Sequence, residues 1–128
     1  MRLTLFLLAD EFGVSRLAPQ TPIPAWAWEG SWVSITRTPS ELSLVCPASR
    51  IPPEVQAERG WRCFQVLGPL AFEQVGVLAS VASPLADAGV SLFVVSTYDT
   101  DYIFVKARDL PAARAALRNA GHRIQEKP

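Results

Sequence analysis

Proline placement constrains this chain more than any other feature. Seven of the eleven prolines, Pro19, Pro22, Pro24, Pro39, Pro47, Pro52 and Pro53, precede Trp61. A proline has no amide to donate inside a helix, so the first half reads as strands and turns. Short β-branched or aromatic runs bounded by Gly, Pro and Ser mark strands at Leu3 to Leu8, Val14 to Leu17, Trp32 to Thr36 and Leu42 to Cys46. Only residues 53–59 invite a helix, with Pro53 at the start, acids near it, and Gly60 where a C-terminal cap belongs. Trp26 and Trp28 alternate, so an extended segment puts both on one face, either as a lid over the first-half sheet or as an interaction surface.

Beyond Trp61 extended and helical patterns alternate. Arg62 to Leu67 reads as a strand, and apolar residues then recur at helical spacing through Val75, Leu78, Ala82 and Leu85. Pro84 predicts a kink near the end of that helix, and Gly89 its stop. Val90 to Thr97 and Tyr102 to Lys106 are apolar strands joined by the polar turn Tyr98-Asp99-Thr100-Asp101. The last helix carries Asp109 as N-cap, Pro111 in its first turn, Gly121 past its end, and a buried face of Leu110, Ala113 and Leu117. With a closing strand at His122 to Gln125 the order is β-α-β-β-α-β, an α+β, ferredoxin-like arrangement of one antiparallel sheet under two helices.

Composition narrows the function classes. Twelve basic and twelve acidic residues leave no net charge, and the chain is 49% hydrophobic. Neutrality removes the basic field that phosphate binding needs, so nucleic acid is not an expected partner. No apolar run approaches the ~20 residues of a membrane-spanning helix, so no membrane association is expected. Cys46 and Cys63 sit in apolar runs and read as small reduced hydrophobes. The sole histidine, His122, opens the final strand and reads as a satisfied edge residue. One histidine and two cysteines make no zinc site, and no cofactor is expected.

The stretch Glu73-Gln74-Val75-Gly76-Val77-Leu78-Ala79, continuing to Leu85-Ala86-Asp87-Ala88-Gly89-Val90-Ser91, resembles the signature of ACT domains, the small-molecule-sensing modules of amino-acid metabolism. In that family Asp-x-Pro-Gly precedes an apolar turn; Glu73 replaces the acid here and Val75 the proline. The loop Ser96-Thr97-Tyr98-Asp99-Thr100-Asp101-Tyr102, followed by Ile103-Phe104-Val105, and the upstream Ser34-Ile35-Thr36-Arg37-Thr38-Pro39 resemble the CASTOR-type branch of ACT proteins, which includes arginine sensors. The resemblance implies a degenerate, strand-rich N-terminal ACT-like unit over residues 1–60 and a regular ACT domain over 61–128. It also implies a cytoplasmic, non-enzymatic regulatory module whose ligand lies between two ACT units. By motif match the ligand-binding residues are Ser91 and Leu92 on one unit, with Phe72, Gln74, Gly76, Thr97, Tyr98, Asp99, Thr100 and Asp101 on the other. A chain with one regular unit needs a homodimer to supply both faces. Gln74 stands where the arginine sensors carry an acid, which weakens guanidinium recognition.

Physical chemistry points the same way. A helix starting near Gly76 directs unpaired amides and a positive dipole end at whatever lies above its first turn, which suits a carboxylate. Asp99 and Asp101 offer acceptors to an ammonium or guanidinium group. The partner expected is therefore a small amino acid or similar zwitterion. Two other readings stand beside it. One is a ligand-free assembly module in which the aspartates serve only the turn. The other is a metal enzyme using the Asp-x-Asp of Asp99 and Asp101, a pattern too short to specify a divalent ion.

Overall fold

Hydrophobic residues at alternating positions make Thr4–Leu7 the first strand, β1, with Leu5 and Leu7 turned into the core. The computed structural model describes residues 1–68 and 75–126. The remaining elements are β2 (Phe12–Leu17), α1 (Ala25–Trp28), β3 (Ser34–Arg37), β4 (Leu42–Pro47), β5 (Ala57–Val66), α2 (Val77–Asp87), β6 (Leu92–Ser96), β7 (Asp101–Lys106), α3 (Leu110–Asn119) and β8 (Arg123–Glu126). Short 3₁₀ turns at Ala48–Arg50 and Ala107–Asp109 precede β5 and α3. The chain separates into two compact units, one of Met1–Ala9 with Arg62–Pro128 and one of Asp10–Trp61.

The unit containing residues 62–126 has the β-α-β-β-α-β order expected, with one addition. β1 pairs antiparallel with β5 and parallel with β8, so it lies between the two strands that open and close the motif. The order across the strands is β6-β7-β5-β1-β8. By this pairing β1 belongs with residues 62–128, unlike the division at residue 60 read from the sequence. The core lies between these strands and the helices: Leu5, Leu7, Phe64, Val66, Ile103 and Val105 meet Val77, Val81, Leu85, Ala113 and Leu117. Each of these is at most a few per cent exposed, so each Val, Leu and Ile among them contributes about 1.5–3 kcal/mol by burial. On the far side of β6 and β7, Phe93 stacks on Phe104 with centroids 4.6 Å apart.

In the unit of residues 10–61, β4 pairs antiparallel with β2 and with β3, and the first residues of β5 pair with β2. Three sequence expectations change here or near it. Residues 53–59 form no helix. Val55 donates to the Pro52 carbonyl in a turn and Ala57 already pairs with Ser15, so strand pairing overrides the local helix signals. Gly60, with φ +84°, sits inside β5 at a register shift instead of capping a helix, and absorbs the extra residue of a β-bulge. Trp26 and Trp28 lie on α1 and not on an extended segment. Trp26 packs with Ala27, Leu42 and Leu44 as a lid, while Trp28 is 59% exposed. Farther along, Asp109 precedes α3 but its carboxylate makes no cap bond, because the 3₁₀ turn already leads the chain into the helix.

Candidate functional site

The glycine turn comes first. Gly76 has φ +87° and ψ 0°, a conformation that disfavours any Cβ, and a methyl group there would meet nothing within 4 Å among the described residues. Backbone conformation alone therefore favours glycine here. The first intrahelical bond of α2 runs from Ser80 N–H to the Gly76 carbonyl at 3.0 Å, and among the described residues no side chain caps the helix. The amides of Val77, Leu78 and Ala79 precede that bond, as the first amides of a helix do, and among the described residues no side chain takes them.

The hairpin between β6 and β7 is closed by threonines. Thr97 N–H donates to the Thr100 carbonyl at 2.8 Å, and Thr100 N–H donates to Thr97 Oγ1 at 3.2 Å. Thr100 is buried, and its hydroxyl donates to the Val66 carbonyl at 2.6 Å, which pins the hairpin to the end of β5. The turn also presses on Gly68: a methyl there would lie 3.0 Å from the Asp99 carbonyl oxygen and 3.0 Å from Thr100 Cβ. Asp101 pairs with Ser96, whose hydroxyl donates to Asp101 Oδ1 at 2.6 Å. The Asp99 and Tyr98 side chains are exposed, Tyr98 by 81%.

A chain of hydrogen bonds puts the two turns at the same end of the strands. Thr100 reaches Val66; the next residue, Leu67, donates to the Thr4 carbonyl at 2.9 Å where β1 begins; Leu3 N–H donates to His122 Nδ1 at 3.1 Å; and His122 Nε2 donates to the Ser80 carbonyl at 2.7 Å in the early part of α2. The hairpin loop and the amide end of α2 thus share one rim. Ser91 and Leu92 lie elsewhere. They stand at the start of β6, so the five residues of that strand, about 17 Å at ~3.3 Å each, separate them from Thr97 within one chain. Leu92 also turns its side chain toward the core. Phe72 and Gln74 lie outside the described residues.

Sequence reading missed two features of this rim. Leu67, Val75 and Leu78 are exposed apolar side chains, Val75 by 88%, and with Tyr98 they account for four of the six large exposed hydrophobics described. Their helical or strand spacing suggests core positions, but Leu67 lies past the end of β5, Val75 lies before α2, and α2 buries the face of Val77, Val81 and Leu85, which leaves Leu78 outward. The second feature is His122, 4% exposed and doubly bonded where an edge residue was expected. Neither cysteine adds chemistry: burial raises the thiol pKa of both, against a smaller opposing pull from Arg50 at Cys46, so both stay protonated and unreactive. In the other unit an open cleft of about 480 Å³ is lined by Asp10, Glu29 and Arg50 among others, but Arg50 is already spent on Glu29, Nη1 to Oε2 3.4 Å and Nη2 to the backbone carbonyl 3.0 Å.

Fold and rim together define an α+β module of the ferredoxin-like kind with a glycine turn and a polar hairpin at one end of its strands. A family model described as ACT domain matches residues 56–119, and the chain belongs to the ACT-domain family. A second model, described as an N-terminal domain, matches residues 10–54. Among curated proteins, the cytosolic arginine sensor for mTORC1 subunit 1 of Bos taurus is 35% identical over 88 residues, covering 60% of this chain and 27% of that protein. Its Homo sapiens counterpart is 39% identical over 68 residues, covering 52% and 18%. The matched stretch thus spans little more than a quarter of these relatives at most. Among solved structures, a protein from Agrobacterium tumefaciens superposes with a TM-score of 0.93 at 44% identity, covering 100% of this chain and 96% of that one. The ligand-free regulatory subunit of aspartate kinase from Thermus thermophilus gives a TM-score of 0.62 at 14% identity, covering 88% and 93%, a likeness of fold alone.

Proposed function

We propose that this chain is a non-enzymatic regulatory ACT module, acting in the cytoplasm, that binds a small amino acid or similar zwitterion between ACT units of a homodimer. The observation that carries the reading is the shared rim: open amides at Val77 to Ala79 for a carboxylate, and the Asp99 and Asp101 loop for a cationic group. The sensor named among the relatives supports the ligand class. In this reading residues 10–61 form a degenerate ACT-like unit. Ser91 and Leu92 contribute from the partner copy, since they are remote from the rim within one chain. The exposed Leu67, Val75, Leu78 and Tyr98 form the apolar border that the second copy covers. Phe72 and Gln74 complete the ligand set, and Gln74 in place of an acid favours a neutral side chain over arginine.

The test is a thermal-shift panel of the twenty amino acids, with sedimentation to follow assembly. A ligand at a hundredfold excess over its dissociation constant adds roughly 2.7 kcal/mol of stability to the form that binds it. Asp101→Ala should abolish the shift and leave the dimer intact. A flat panel with a monomer at every concentration ends the proposal. A flat panel with a firm dimer favours the second reading, an assembly module whose rim serves only protein contact, and the same apolar border is the observation behind it.

A further inference from the structure

Pro84 sits inside α2 and has no amide to give the carbonyl one turn before it, that of Ser80. Left alone, Ser80 O would be an orphaned acceptor in a packed helix, a costly arrangement. It is not alone. The His122 ring, 4% exposed, brings Nε2 to 2.7 Å from that oxygen. The other ring nitrogen, Nδ1, accepts the Leu3 amide at 3.1 Å, and this assigns the tautomer: a bare Nδ1 and a proton on Nε2. His122 is itself fixed by its own amide, which donates to the Leu117 carbonyl at 3.1 Å at the end of α3.

We propose that His122 is a positioning residue that stands in for the amide missing at Pro84 and thereby holds the amide-bearing turn of α2 in register with the strands. A single ring ties three segments at one point: α2 through Ser80, the residue before β1 through Leu3, and the start of β8. Ser80 lies one turn from Gly76 and is bonded to it, so displacement at Ser80 O is passed directly to the open amides of Val77, Leu78 and Ala79. Resting on the amino-acid-binding reading above, this makes His122 a determinant of affinity although it touches no ligand, because amides displaced by about 1 Å lose a carboxylate's geometry. The inserted strand β1 has the same dependence, since the amide of Leu3, the residue before it, finds its acceptor on the same ring.

The signature of the proposal is coupling between His122 and Pro84. His122→Asn keeps an acceptor near the Nδ1 position but cannot reach Ser80 O; Pro84→Ala restores the amide that should. In the full-length protein, hydrogen exchange at Ser80 and Val81 should accelerate about tenfold or more in His122→Asn, as expected for a half-buried acceptor left without its partner. In the Pro84→Ala background the same substitution should produce little acceleration. Any melting shift from the twenty-amino-acid panel should weaken in His122→Asn and recover in the double variant. Equal acceleration in both backgrounds, or none in either, overturns the proposal. Should His122→Asn fail to fold, the lone histidine of the unmodified protein still gives an answer by ¹⁵N resonance: a protonated Nε2 with a bare Nδ1 supports the assignment, and the opposite tautomer refutes it. A flat amino-acid panel in the unmodified protein defeats the ligand reading alone, because the exchange coupling is read without ligand.

Discussion

Side chains that sequence reading offers to a ligand divide, residue by residue, into those the fold has consumed and those it leaves open. Thr100 belongs to the first group. Its hydroxyl is spent on the Val66 carbonyl at 2.6 Å, and that bond is what brings the hairpin to the end of β5. Thr100→Val keeps the shape and removes the donor, leaving the Val66 carbonyl short of a partner, so unfolding free energy should fall by about 1–3 kcal/mol in a urea titration. A loss below a few tenths would mean that the pin is dispensable. Asp101 stands between the groups, since one carboxylate oxygen accepts from Ser96 and the carboxylate has further acceptor capacity. Asp99 is exposed and the amides ahead of Ser80 have no side-chain cap among the described residues, and neither could be read from residue type.

At the scale of elements, the departure that matters is β1. A strand at the start of the chain joins the later unit because Leu5 and Leu7 complete its core and because β5 and β8 each present it a free edge. The outer member of that group, β8, is tied to α3 by Glu126, whose carboxylate lies 2.6 Å from Arg114 Nη2. The hydrogen bond from Arg114, then the Arg114 charge, with a further contribution from Arg62, holds the Glu126 pKa below its ordinary value against a small opposing effect of burial. A folded-state pKa lowered in this way stabilises the protein above the ordinary glutamate range, and the contribution disappears as pH falls through the lowered value. The melting-temperature gap between the unmodified protein and Glu126→Gln should therefore be present at neutral pH and close on acidification. A gap unchanged across that acid range would show that the charge has no part in it. The pair is exposed, so the gap should also shrink with added salt.

For the whole molecule, the separation of Ser91 from the Thr97–Asp101 loop makes the proposed site a property of two copies. Complementation tests this directly. Ser91→Trp and Asp101→Ala should each abolish ligand-induced stabilisation in homodimers. Mixed at equal amounts and allowed to exchange subunits, they should regain about a quarter of the sites, because half of the dimers pair one intact Ser91 face with one intact loop. No recovery despite subunit exchange, shown by sedimentation of tagged copies, would place any binding site within a single chain. The exposed Leu67, Val75, Leu78 and Tyr98 fit the same requirement: they border the rim on which the second copy would close.

What the sequence alone determined was local: the β-α-β-β-α-β order, both helix stops, the hairpin and its polar turn, and the glycine before α2. These follow from side-chain periodicity and from the backbone limits of Gly and Pro, which act over a few residues. Tertiary structure decided the rest. Strand pairing turned residues 57–59, the end of a candidate helix, into the start of β5, the short α1 took the tryptophans out of an extended segment, and a free edge on either side drew β1 between β5 and β8. Only the assembled fold could set Pro84 opposite His122, because a missing amide and its substitute 38 positions away interact through space, and no period in the sequence records that distance.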